Sequence, residues 1–221
     1  MLVSEILNTE ISPLTINDTV STAITKLELL RVDKFIVVDE MFKAQGMITL
    51  ELLYEVQNED LLLSQLPLEP VVSVHRSQHI FETTRLMFAN ELYILPVVDS
   101  EQDYLGLVRK REILTALGTM FNLSSFGSVL TIEFEQLDYT LSDIVRIIEI
   151  EGAKILGVAV QQPNDETPNF RVSIKLNLED SSVVSASLRR FGYLITSEEN
   201  SESLEHDFSD RADELIRYLD L

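Results

Sequence analysis

Apolar and polar positions alternate along this chain in a pattern that is laid down twice. A short extended segment opens each copy, over Leu14–Ile16 and again over Val71–Val74. Helical spacing follows, with Val20, Ile24, Leu27 and Leu30 on one face of the first segment and Ile80, Thr84 and Met87 on one face of the second. Asp18 or Thr19 caps the first helix, and Ser77 caps the second with Glu82 in its early turns. The runs Phe35–Val38 and Ile94–Val98 are continuously apolar and predict buried strands, each ending at an aspartate in a turn. Further strands start at the glycines, Gly46–Thr49 and Gly106–Arg109, and closing helices span Leu50–Gln57 and Lys110–Leu117. Each copy is β-α-β-β-α.

The copies are in register. Ser4-Glu5-Ile6 returns as Ser64-Gln65-Leu66, Val37-Val38-Asp39 as Val97-Val98-Asp99 and Gly46 as Gly106, always 60 positions apart. A constant offset through unlike elements is the mark of a duplicated structural unit, and two such units can cover each other's open sheet faces. The boundaries predicted are residues 1–60 and 61–120.

Beyond Gly118 the pattern changes. A polar connection over Phe121–Gly127 leads into a strand at Ser128–Phe134. Leu141, Ile144, Val145 and Ile148 share a helical face that stops at Gly152, with Asp138 or Thr140 as its cap. Strands at Lys154–Gln161 and Phe170–Leu178, a helix at Ser181–Arg190 and a last strand at Tyr193–Thr196 complete a ferredoxin-like β-α-β-β-α-β order over residues 127–197. Residues 198–221 read as an acidic tail with a short helix. The fold class is mixed α+β.

Composition narrows the chemistry. The 221 residues carry 37 acids against 17 bases, a net charge of −20. That field repels phosphate backbones and anionic lipid, so neither nucleic acid nor membrane is an expected partner. Nine of the acids lie between Glu198 and Leu221 against Arg211 and Arg217, a solvated tail or a docking segment for an unknown basic protein partner. Cysteine is absent, which excludes disulfides, thiolate metal sites and cysteine nucleophiles. No apolar run is long enough to span a bilayer, and the N-terminus lacks a basic stretch, so a cytoplasmic protein without a signal peptide is expected. No phosphate-binding loop, nucleophile elbow or zinc-protease motif is present, and no enzyme is expected. His75 and His79 have metal-like spacing, but His75 precedes the helix cap, so no metal site is assigned.

The run LPVVDSEQDYLGLVRKREIL resembles the second half of a CBS motif, and FIVVDEMFKAQGMITLELL resembles it more weakly. The resemblance implies one pseudo-symmetric module whose clefts bind adenine nucleotides or S-adenosylmethionine, with no cofactor otherwise required. In that family the threonine and aspartate of Gly-x-x-Thr-x-x-Asp hold phosphate and ribose. The first copy keeps Thr49 but has Leu52 at the aspartate position; the second has Arg109 and Glu112. Leu52 cannot accept a hydrogen bond, whereas Glu112 can, and Arg109 in the only basic triplet (Arg109, Lys110, Arg111) can grip a phosphate or simply start a solvated helix. By the same resemblance a purine would sit on Val71, Val72, Tyr93, Ile94 and Leu95; Pro96 interrupts the ladder where a strand edge opens to a cleft, or simply starts the strand. The run IVRIIEIEGAKILGVAV resembles an ACT domain, although Asp138-Tyr139-Thr140 replaces the usual Pro-Gly of its first loop, which favours dimerisation over ligand binding. A CBS pair followed by an ACT-like domain is similar to the acetoin-utilisation regulatory type. The expectation is a homodimeric regulator binding an adenine nucleotide at the second motif; the alternatives are a ligand-free interaction scaffold with decayed clefts and a cryptic enzyme.

Overall fold

In the computed structural model the residues described are 1–135, 140–165 and 167–199. Two compact units divide the chain at Leu117/Gly118. The expected tail helix in residues 200–221 and the candidate cap Asp138 lie outside the described residues.

The first unit holds both copies. In the first, β1 (Leu14–Thr15) runs parallel to β2 (Lys34–Val38), and β2 pairs antiparallel with β3 (Ala44–Thr49). Helices α1 (Val20–Leu30) and α2 (Leu50–Glu55) pack on this sheet. The second copy repeats it with β4 (Val74–His75), α3 (Ile80–Ala89), β5 (Ile94–Val98), β6 (Tyr104–Arg109) and α4 (Lys110–Met120). Register is conserved to the residue: Val37 faces Gly46 as Val97 faces Gly106, and each ladder slips at the next residue. Even the left-handed backbone positions recur at the same offset, Arg31 with Glu91 and Phe42 with Gln102. The β-branched and aromatic run of β2 is buried from Phe35 to Val38, which explains why it alternates with nothing polar.

Local details differ from expectation. Thr19 caps α1, its hydroxyl accepting from the Thr22 N–H, but α3 is capped by His79, not Ser77. The His79 imidazole accepts from the Phe81 N–H at 3.2 Å, while Ser77 bonds His75. An imidazole nitrogen is an unusual cap, so the standard capping residues pointed two positions too early. Val71 and Val72 are not in a strand; β4 is only Val74–His75.

The chain also crosses between the copies. The segment before each copy folds onto the other copy. Val3 and Ser4 donate to the carbonyls of Gln78 and Arg76, and Asn8 exchanges two backbone bonds with Leu107, at 2.8 and 2.9 Å. Leu63 and Ser64 likewise donate to Asp18 and Ile16, and Glu69 exchanges two bonds with Met47. Val3 and Leu63, both inaccessible to solvent, anchor this reciprocal crossover. The glycines that mark the repeat are where the crossing chains pass. A Cβ on Gly46 would stand 2.4 Å from Leu68 Cβ, and one on Gly106 would stand 2.4 Å from the Asn8 carbonyl oxygen.

The second unit is β7 (Val129–Phe134), α5 (Leu141–Ile150), β8 (Ile155–Gln161), β9 (Phe170–Leu176), α6 (Ser182–Arg190) and β10 (Leu194–Glu199). The sheet order β10-β7-β9-β8, antiparallel throughout, is the ferredoxin-like arrangement. Leu130, Ile132, Val172 and Ile174 face Ile144, Ile147, Ile148, Val184 and Leu188 in its core. Thr140 sits at the cap position of α5 without a side-chain capping bond. The last strand runs through Glu199, so Glu198 and Glu199 belong to the sheet; Glu198 pairs with Arg189.

Candidate functional site

The candidate site lies where a strand hands over to a helix, and the two copies solve this junction in complementary ways. A helix start leaves backbone N–H groups without partners. After β3, the Thr49 hydroxyl accepts from the Leu52 N–H at 3.3 Å. After β6 the bond runs in the opposite sense: the Glu112 carboxylate reaches back to accept from the Arg109 N–H at 2.9 Å. These are the two halves of a capping box, one in each copy. A leucine at position 52 is therefore sufficient for α2, and Glu112 is the residue that α4 needs once arginine replaces the threonine.

Glu112 does more than cap. Its other oxygen accepts from the Arg109 Nε at 2.8 Å and from Nη2, so one carboxylate oxygen is forked by the guanidinium while the second holds the backbone N–H. Arg111 Nη2 stands 3.7 Å from the same oxygen. Burial opposes ionisation of Glu112, but the hydrogen bonds and charge of Arg109 outweigh it and hold the carboxyl below its ordinary value. Bonding to Glu112 raises Arg109 in turn, against partial burial, with a further contribution from the charge of Glu10. The pair is thus ionised, half-buried and approached by the crossing N-terminal segment. Tyr104 fixes that segment, its hydroxyl donating to the Ile11 carbonyl at 3.0 Å.

The other predicted residues divide between places. Lys110 turns away from any anion role: its ammonium lies 5.3 Å from the Phe88 ring centre and 5.2 Å from that of Tyr93. Ile94, Leu95 and Pro96 are buried. Pro96 sits in β5 one residue before the strand meets β4, so the β4–β5 ladder begins after it. Ile94 and Pro96 border, with Ile36, Met47 and Leu107, a void of only about 10 Å³. Tyr93 and Ile94 also line a groove of about 210 Å³ with Asp33, Lys34 and Asn90, on the pseudo-two-fold between the copies. Val71 and Val72 are half-buried and follow Glu69, which is bound to Met47 and, at 2.8 Å, to Lys34, the register partner of Thr49. They therefore stand on the Thr49 side, whereas Arg109 and Glu112 are bordered by Glu10 and Ile11. Sequence reasoning had grouped these two sets together and omitted Glu10, Ile11 and Tyr104. The offset of 60 carried the missing information, because Ile11 is the counterpart of Val71.

Among the described residues no group of three or more histidines, acids or cysteines is placed to hold a metal ion, and no helix is long and apolar enough to cross a membrane.

Residues 63–119 match the family model of the CBS domain, and the preceding residues repeat the elements of that stretch in the same register. The chain is 26% identical over 112 residues to the choline transport ATP-binding protein OpuBA of Bacillus subtilis, a stretch covering 51% of this chain and 29% of that protein. It thus spans less than a third of that curated relative. Among solved structures it is similar to a CBS domain pair/ACT domain protein from Thermotoga maritima, with 24% identity, a TM-score of 0.48, and coverage of 53% of this chain and 96% of the other. It is also similar to a CBS domain pair in complex with 5′-methylthioadenosine and S-adenosyl-L-methionine, with 24% identity, a TM-score of 0.43, and coverage of 54% and 97%.

Proposed function

We propose that this chain is a regulatory protein, not an enzyme, whose CBS pair binds an adenine nucleotide or S-adenosylmethionine beside the start of α4. The observation that carries the reading is the half-buried Arg109–Glu112 fork at a helix N-terminus. A ligand phosphate or carboxylate can take the guanidinium, and ribose hydroxyls can take the carboxylate oxygen so released. Meanwhile the second carboxylate oxygen keeps the Arg109 N–H capped. The Thr49 junction offers no such exchange, because Leu52 has no acceptor. A similar CBS pair holds adenosine compounds, which supports the ligand class. The ferredoxin-like unit would act as an ACT-like dimerising domain, in an arrangement of the acetoin-utilisation regulatory type working in the cytoplasm.

Calorimetry with AMP, ADP, ATP and S-adenosylmethionine, on a sample whose mass is fixed by light scattering, tests this. The expected result is a dimer with one site per chain. Glu112→Ala should weaken binding by about 1.5–3 kcal/mol, roughly tenfold to a hundredfold. Arg109→Ala should cost more at low salt than at high salt, and Thr49→Ala should change little. A monomeric mass removes the dimer, and loss of binding in Thr49→Ala alone moves the site to the other cleft. Silence from every adenine compound at millimolar concentration would favour a ligand-free scaffold, the reading that the self-paired Arg109–Glu112 fork and Leu52 also fit.

A further inference from the structure

The helices of the second unit cover one face of its sheet. The other face carries Val129, Thr131, Ala159, Ser173 and Lys175, as the β7–β9 and β8–β9 registers require once Leu130, Ile132, Val172 and Ile174 point into the core. The connection that leaves α4 passes over this face as a strap. It is fastened by the Asn122 side-chain amide, which donates to the Leu156 carbonyl at 2.7 Å with Asn122 itself in a left-handed conformation. The strap sits so low that a Cβ on Gly157 would meet the Phe121 carbonyl oxygen at 3.0 Å. Between strap and sheet lies a cavity of about 450 Å³, within the range of about 300–1,000 Å³ typical of small-molecule sites.

Its walls are of two kinds. Phe121, Leu123, Val129 and Ala159 make it apolar, and Ser173 and Lys175 supply the polar groups. The Ser173 hydroxyl is already shared with Thr131 at 3.1 Å. Lys175 is half-buried and makes one long hydrogen bond, to the Leu123 carbonyl at 3.4 Å; no acid stands within salt-bridge distance of it among the described residues. No carboxylate lines the cavity. A half-buried ammonium beside an apolar pocket attracts an anion, and no acid among the cavity's lining residues would neutralise a ligand's own ammonium.

We infer that this cavity is a binding site for a small apolar monocarboxylate, its hydrocarbon body under the strap and its carboxylate on Lys175. An amino acid is excluded by the same charge pattern, since its ammonium would face Lys175 with no acid to receive it. The inference lies in the second unit and does not depend on the nucleotide cleft.

The test compares 4-methylpentanoate with leucine and with 4-methylpentan-1-ol on the full chain, following the methyl resonances of Val129 and Ala159. The acid should shift both methyls saturably, with leucine and the alcohol at least about tenfold weaker. Lys175→Met should reduce the acid to the alcohol's affinity and leave the alcohol unchanged. Ala159→Phe, a substitution at an exposed position of the sheet face, should fill the cavity and abolish binding of both. Equal binding of acid and alcohol, stronger binding of leucine, acid binding unaffected by Lys175→Met, or no saturation by about 10 mM acid would each overturn the assignment.

Discussion

Gly106→Ala should loosen the crossover between the two copies. Gly106 has φ +149°, a conformation that residues with a side chain rarely adopt, and its added Cβ would sit 2.4 Å from the Asn8 carbonyl oxygen and 2.9 Å from Leu7 Cδ1. The strain is about 1–3 kcal/mol. Relieving the clash means moving the N-terminal segment off β6, which breaks the two Asn8–Leu107 backbone bonds, each contributing about 0.5–1.5 kcal/mol. The combined destabilisation is about 2–6 kcal/mol, a fall in melting temperature of roughly 8–24 °C for a domain of this size. Thermal unfolding followed by far-ultraviolet circular dichroism measures the loss, and hydrogen exchange locates it in residues 1–9 and 104–109. Gly46→Ala is the control: its Cβ would strike Leu68 and the Glu69 carbonyl, but without the positive φ. It should cost less and deprotect residues 66–71 instead. If Gly106→Ala melts within about 2 °C of the parent and leaves exchange at Asn8 and Leu107 unchanged, the glycines are not there to admit the crossing chains.

Two titrations give further checks. Because Arg109 holds the Glu112 carboxyl below its ordinary value of 4.5, its contribution is complete above that value and is lost as pH falls through the folded-state value; Glu112→Gln should flatten the acid limb of a urea-midpoint-versus-pH curve, and an unchanged acid limb would show the fork to be neutral for stability. Burial raises the Tyr104 hydroxyl above its ordinary value of 10, so its contribution is present below pH 10 and is lost at higher pH as the unfolded chain alone ionises. Tyr104→Phe should cost about 1 kcal/mol at neutral pH, the worth of the bond to Ile11, and should remove part of the alkaline loss; an alkaline limb identical to the parent's would place that loss elsewhere.

What could be read from the chain follows the range of the interactions concerned. Periodicity is local, so the buried runs at Phe35–Val38 and Ile94–Val98 and the β-α-β-β-α-β order of the second unit were legible, as was the repeat itself. The helix faces were legible only approximately: α1 buries Ala23 rather than Ile24, and α3 buries Thr83 rather than Thr84. In each case the neighbouring position differs by one step of the helix, and apolarity alone does not choose between them when a small or hydroxylated residue can pack. Thr83 can be buried because its hydroxyl bonds the His79 carbonyl. The cap of α3 was missed because histidine seldom caps. The crossover was missed for a different reason. It consists of backbone bonds between segments distant along the chain, such as Val3 to Gln78 and Leu63 to Asp18, and backbone groups carry no side-chain signature.

That crossover decides how a ligand at the second motif would be felt elsewhere. Arg109 faces a segment, Asn8 to Ile11, that is pinned to β6 by Leu107 and Tyr104 yet continues within three residues into β1 of the first copy. Pulling the guanidinium off Glu112 changes the charge facing Glu10 and so acts on that segment directly. Three residues after Ile11 comes Leu14, which is wholly buried against the first copy's core and parallel-paired to Val37. The same geometry runs in reverse from Met47 through Glu69 to Val74 and Val97. Each junction therefore borders a segment that continues into the other copy's sheet, besides closing a strand of its own. Two independent copies would share only an interface; here the covalent chain also crosses between them, and Gly46 and Gly106 are the positions that let the two crossings come close.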